Sequence, residues 1–205
     1  MFESLPPETV ALRTLLADLH DGLEGRVARL RLLMALEFDF GNGQGLLLPG
    51  GTPAHAAYIE TRHAFVMGNF LSVILISQCL LENVLASQLG LDAVSLEIHG
   101  GAPTPQRDRP GFRETVVACK VSGLLNDEDA RDLMRLGDLR NALSHFRTVA
   151  DPSHLDRRSI RERRAAAEIC EDDARFAIGV FVRVLAKPAF RFKLDPVDPF
   201  SARDL

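Results

Sequence analysis

The residues of this chain best suited to chemistry sit in one short stretch, Gly137-Asp138-Leu139-Arg140-Asn141-Ala142-Leu143-Ser144-His145-Phe146-Arg147. Asp138, Asn141 and His145 recur at helical spacing and form a polar stripe, with Arg140 beside it. Asp, Asn and His are not favoured helix formers, so an ordinary solvated face would more often carry Glu, Lys and Gln. Histidine titrates near neutrality and can give or take a proton. Arginine stays charged and presents forked donors that match phosphate oxygens. These are the groups needed when a ribose 2′-hydroxyl attacks the adjacent phosphate: a base, an acid, and a donor for a crowded, charged transition state. Asn141 is placed to orient either partner. That chemistry requires no metal and no other cofactor. The competing structural account has Arg140 paired with Asp138 or Glu82, and His145 capping the helix or leading out of it.

Leu136, Leu139, Leu143 and Phe146 form an apolar stripe roughly opposite the polar one, so the stretch reads as an amphipathic helix. Asn126 is its N-cap, with Asp127, Glu128 and Asp129 at its positive end, and it runs to about Phe146. Upstream, residues 54 to 90 are helical in pattern with Gly90 as a C-terminal cap, and no charge interrupts Ala64 to Leu81. That length approaches a membrane span, but Asn69, Ser72, Ser77 and Gln78 break it, which favours a buried central helix and no membrane. Glu82 interrupts the same apolar run, and a buried carboxylate there calls for a cationic partner, such as one on the Asp138–His145 helix. Phe112 to Val121 forms a short amphipathic helix between the two.

The order of elements and the Arg140, Asn141, His145 pattern resemble the HEPN family, whose signature is an Arg, usually a polar residue, then a His near the end of a helix. The long apolar helix at 64–90, a loop, a short helix ending in Val121-Ser122-Gly123-Leu124-Leu125 and the signature helix are similar to that family's layout over roughly half the chain. The resemblance implies an all-α, HEPN-like antiparallel helical bundle and a metal-independent endoribonuclease of toxin or defence type. It also implies a homodimer whose interface lies near the signature helix, with a composite cleft, and an antitoxin or other protein partner. On a straight helix Arg140 and His145 project about 140° apart, a mismatch that two copies of the motif would relieve. A non-catalytic interaction or scaffold module on the same fold is the alternative. The helix order and Gly123-Leu124-Leu125 are also similar to the mannitol operon repressor family, a transcriptional regulator. Negative charge and the lack of an evident DNA-reading helix argue against that reading.

The whole chain, 1–205, reads as a single helical domain with a core at about 54–187 and an N-terminal appendage at 8–38, either two helices or one bent helix. The formal net charge of −4 argues against a general polyanion binder, so RNA contact falls to a local basic patch. Arg157, Arg158, Arg161, Arg163 and Arg164 form the densest one, with Arg147 nearby, against the simpler reading of a solvated helix face. The glycine-rich loop from Phe38 to Pro53 fits neither the dinucleotide fingerprint nor the P-loop. His55 and His63 lack ligand spacing. Val94 to His99 alternates like a short strand, and a last helix starts at Glu171-Asp172-Asp173 and stops at Pro188. Cys79, Cys119 and Cys170 show no paired spacing, and Cys79 and Cys119 read as buried free thiols. With no secretory signal at the start, they point to a reducing, cytoplasmic setting.

Overall fold

The computed structural model describes residues 7–37, 48–98, 110–145 and 147–190. Its elements are helices α1 (Pro7–Asp21), α2 (Leu23–Leu36), α3 (Gly51–Met67), α4 (Phe70–Ile98), α5 (Phe112–Val121), α6 (Asp127–Ser144), α7 (Leu155–Glu162) and α8 (Ala166–Leu185), followed by a 3₁₀ turn at Pro188–Phe190. The fold is an all-α helical bundle, with no strand among the described residues. The glycine loop at 38–47, His99 and the connector to 109, Phe146 and the tail beyond 190 lie outside the described residues.

Helix α4 is the axis of the bundle. It packs against α3, α5, α6 and α8, which explains its near-continuous apolar run. By length and composition, its segment Phe70–Gly90 is long and apolar enough to cross a membrane, and 44 % of that window is buried inside the bundle. Val73, Ile74, Leu80, Leu81, Val84 and Leu85 are fully buried there against Phe65 of α3, Leu133 and Leu136 of α6, and Ile178, Phe181 and Leu185 of α8. Phe190, on the 3₁₀ turn, closes the same core.

Five sequence expectations are corrected. The 54–90 helix is two helices, because Gly68 takes φ +83° and ends α3, its N–H donating to Phe65 O at 3.2 Å while Asn69 N reaches Ala64 O at 2.9 Å. Gly90 is not a cap: α4 continues to Ile98, since a single glycine weakens a helix by only about 1 kcal/mol. Val94 to Ile98 is therefore helical, as expected where a lone strand finds no partner. Finally, α8 starts at Ala166, a turn before the acidic cluster, and Cys79 is exposed while Cys119 and Cys170 are buried.

Helix α2 docks through Leu33 on α3 and α8. Arg29 fixes it there: its Nε donates to Val66 O at 3.1 Å, at the end of α3, and its guanidinium lies over the Phe70 ring, 5.5 Å from the centroid. Glu37, just past α2, accepts from Tyr58 Oη at 3.0 Å and meets Arg62 Nε at 2.8 Å. Burial, with Glu37 beside it, pushes the Tyr58 phenol up to about 12. At Gly68 an added Cβ would meet Arg29 Nη2 at 3.1 Å in a backbone conformation that disfavours side chains. Gly68→Ala is therefore expected to destabilise the protein by about 1–2 kcal/mol. Urea unfolding checks this, and an unchanged midpoint would contradict it.

Candidate functional site

Asn126 and Asp129 set α6 in place. Asn126 Oδ1 accepts from Asp129 N at 2.8 Å and Asp129 Oδ2 accepts from Asn126 N at 3.1 Å, a reciprocal cap. The Asp129 carboxylate is buried, and Lys187 Nζ (2.7 Å) and Arg183 Nε (3.4 Å) reach it from the end of α8. Arg183 also holds Asp132 at 2.6 Å. With its first turn pinned and Leu133 and Leu136 buried, α6 has one rotational setting.

That setting turns Gly137, Arg140 and Asn141 toward an open cleft of about 450 Å³ between α4, α5 and α6. From α4 the cleft is lined by Gln78 and Glu82; from the start of α5 it is lined by Gly111, Phe112, Arg113 and Glu114. Gly137 allows the Phe112 ring its close approach, since a Cβ there would lie 3.1 Å from two ring carbons. Glu114 is turned back to cap α5, accepting from Gly111 N at 3.2 Å. Glu82 accepts from Gln78 Nε2 at 2.9 Å. Arg113 is ion-paired with Asp138.

Arg140 stands apart from these. It forms no ion pair among the described residues, and its Nη1 donates to Asn141 Oδ1 at 3.2 Å. The expected pairing of Arg140 with Asp138 or Glu82 is not formed. Two residues apart on a helix, Asp138 and Arg140 do not face each other, so Asp138 reaches across to α5. Glu82 shares the cleft with Arg140 but is engaged one turn back along its own helix.

The structure brings Arg140, Asn141 and Glu82 to one cleft and Asp138 to its edge through Arg113. It does not bring His145 there. His145 is the C-cap of α6, with extended backbone (φ −112°, ψ 139°), its N–H on Asn141 O at 3.3 Å and its ring exposed. It therefore opens outward where the chain leaves the helix. Arg113, Phe112, Gln78 and Gly137 are cleft residues that sequence reasoning did not select. A glycine inside an otherwise apolar-striped helix was the available signal for Gly137, marking close approach by a neighbour.

The arginines expected to contact RNA are mostly engaged within the fold. Arg147 Nη1 donates to Asp151 at 2.8 Å, and Asp151 also accepts from Ser153 Oγ at 2.6 Å and Ser153 N at 2.8 Å. The Ser153 bonds and then Arg147 hold the Asp151 carboxyl down to about 2. Because that value is depressed, the stabilisation is present above the ordinary carboxylate range and is lost as pH falls toward 2, so Arg147 stays engaged at neutrality. Arg158 makes a forked pair with Asp173 at 2.5 and 3.0 Å, which ties α7 to α8. Arg161 meets Glu162 at 3.0 Å and Arg164 meets Asp172 at 2.7 Å. Arg157 and Arg163 are exposed and carry no ion pair among the described residues. Nor do the described residues contain a group of three His, Cys, Asp or Glu side chains able to hold a metal ion.

The chain is an all-α bundle whose cleft holds a guanidinium with no ion pair among the described residues. Compared with protein-family models, with curated proteins and with solved structures, the chain matches none.

The two kinds of arginine are separable by experiment. Asp173→Ala, which removes the buried carboxylate of the Arg158 fork and leaves Arg158 only Glu162 at 3.8 Å, is expected to destabilise the fold by about 1–3 kcal/mol. Arg140→Ala is expected to stay within about 0.5 kcal/mol of the parent, having no ionic partner to strand. Paired chemical-denaturation curves measure both, and a large loss from Arg140→Ala would mean its role is structural.

Proposed function

We propose that this protein is a metal-independent endoribonuclease of the HEPN kind that its Arg140, Asn141 and His145 resemble. The observation that carries the reading is the Arg140 guanidinium, which lines an open cleft and is ion-paired with no carboxylate among the described residues, while Glu82 and Glu114 of the same lining accept from Gln78 and Gly111. An RNA phosphate supplies the missing anion, and the forked donors match its oxygens. Asn141 holds the guanidinium through its side-chain oxygen. His145, exposed one turn beyond, serves as acid or base for the 2′-hydroxyl or the leaving 5′-oxygen. The reaction then leaves a 2′,3′-cyclic phosphate.

The resemblance implies a homodimer with a composite cleft, and the outward placing of His145 is in keeping with one copy's histidine serving its partner's arginine. RNA, a second copy of the chain and a regulatory protein such as an antitoxin are the partners of this reading. A non-catalytic interaction module is the second reading, favoured by the absence of His145 from the lining of its own cleft. Glu82 and Asp138 act in support on either reading, through Gln78 and Arg113. The basic contribution of Arg157 is larger than that of Arg147, Arg158 or Arg161, because its charge is not spent on a carboxylate.

Activity and its arrangement are both testable. His145→Ala is expected to lower RNA cleavage by about 10²–10⁴-fold, the usual worth of a general acid or base. Arg140→Ala is expected to abolish cleavage too, Asn141→Ala to lower it less, and EDTA to leave it intact. Mixing the inactive Arg140→Ala and His145→Ala proteins should restore part of the activity if arginine and histidine come from different copies. Cleavage undiminished in both single variants would rule out the assignment.

A further inference from the structure

Helix α1 is an unsupported arm. Gly22, in helical conformation (φ −82°, ψ −4°), makes only a bend between α1 and α2. The principal neighbour of α1 is α2 itself, and no residue from Glu8 to Ala17 is buried. An isolated helix of 15 residues is marginal in water, so an apolar one left bare needs a surface to lie on.

The arm and α2 share an apolar seam. Leu12, Leu16, Leu23, Val27, Leu30 and Met34 are all 37–63 % exposed, and Leu19 belongs to the series by sequence. The intervals along 12, 16, 19, 23, 27, 30 and 34 are 4, 3, 4, 4, 3, 4. Each half has the alternating spacing of a coiled-coil seam, and the extra residue between the halves is a stutter at the bend. The series reads the same in both directions about Leu23.

We propose that this seam is an interface with a second copy of the chain, laid antiparallel across a two-fold axis at Leu23. In that register Leu12 meets Met34, Leu16 meets Leu30, position 19 meets position 27, and the two Leu23 side chains meet each other. A self-complementary patch of this kind is what an isologous contact requires. Charge selects the same orientation. The α1 segment carries Glu8, Asp18 and Asp21 against Arg13, whereas α2 carries Arg26, Arg29 and Arg31 against Glu24. Even with Arg29 committed to Val66 and Phe70, an antiparallel pair sets an acidic half on a basic half, and a parallel pair sets like on like. The inference goes beyond the ribonuclease reading and does not depend on it, since no seam residue lines the cleft.

Light scattering of the whole chain at micromolar concentration is expected to show an oligomer, and the Leu16→Glu, Leu30→Glu double variant half the parent's mass. The thermal transition of the bundle should be retained, because neither residue is in the core. In a Cys79→Ser background, Leu23→Cys should form an intermolecular disulfide by itself. Leu16→Cys and Leu30→Cys should link to each other when mixed and form no disulfide-linked dimer separately. A monomeric parent, a double variant that keeps the parent's mass, or self-linking by Leu16→Cys alone would overturn the inference. So would a parent that is monomeric in solution but bound by phosphatidylglycerol vesicles through the same residues, which would assign the seam to a lipid surface.

Discussion

The buried carboxylate of Asp129 is the contact on which the placement of the cleft depends. It closes the reciprocal cap with Asn126 and takes Lys187 and Arg183 from the far end of the chain, fastening the start of α6 to the end of α8. A helix held by its first turn and by two fully buried leucines cannot rotate about its axis. Arg140 and Asn141, three turns on, are thereby fixed toward α4 and α5. Uncompensated, a carboxylate at that depth would be strongly unfavourable; compensated, it sets the register of the helix that carries the candidate chemistry.

Arginine is abundant here, and the fold treats its copies differently. Arg29, Arg62 and Arg158 lock neighbouring helices through a carbonyl, a glutamate and an aspartate. Arg113 is spent on Asp138 at the rim of the cleft, and Arg147 on Asp151 in the turn after α6. This internal accounting leaves Arg140 as a cation in a concave, partly apolar setting, where a guanidinium attracts an anion more strongly than on an open surface.

Much of this was legible in the sequence because the signals were local. Asn126 with three acids after it marked the start of α6, and the uncharged run from Ala64 marked the central helix. The break at Gly68 was missed because the apolar pattern continues across it, and only the positive φ and the seat for Arg29 reveal why glycine stands there. Gly90 misled for the opposite reason: a glycine without a turn to make is carried inside the helix. The role of each arginine was not legible at all. Arg158 and Arg157 are adjacent in a basic run, yet one is sealed on Asp173 and the other faces solvent, a difference decided by helix phase and by an aspartate fifteen residues on. The cleft itself needed three helices from distant parts of the chain.

The central claim is that the Arg140 cleft takes an RNA phosphate. Side-chain NMR of the protein ¹⁵N-labelled at arginine and histidine, titrated with an oligonucleotide carrying 2′-deoxyribose at the cut site, tests it most directly, because the ligand binds without being consumed. The account predicts shifts at the Arg140 guanidinium and the His145 ring, with the Arg147 and Arg158 signals unmoved in their ion pairs. Shifts confined to Arg157 and Arg163, with Arg140 silent, would contradict it.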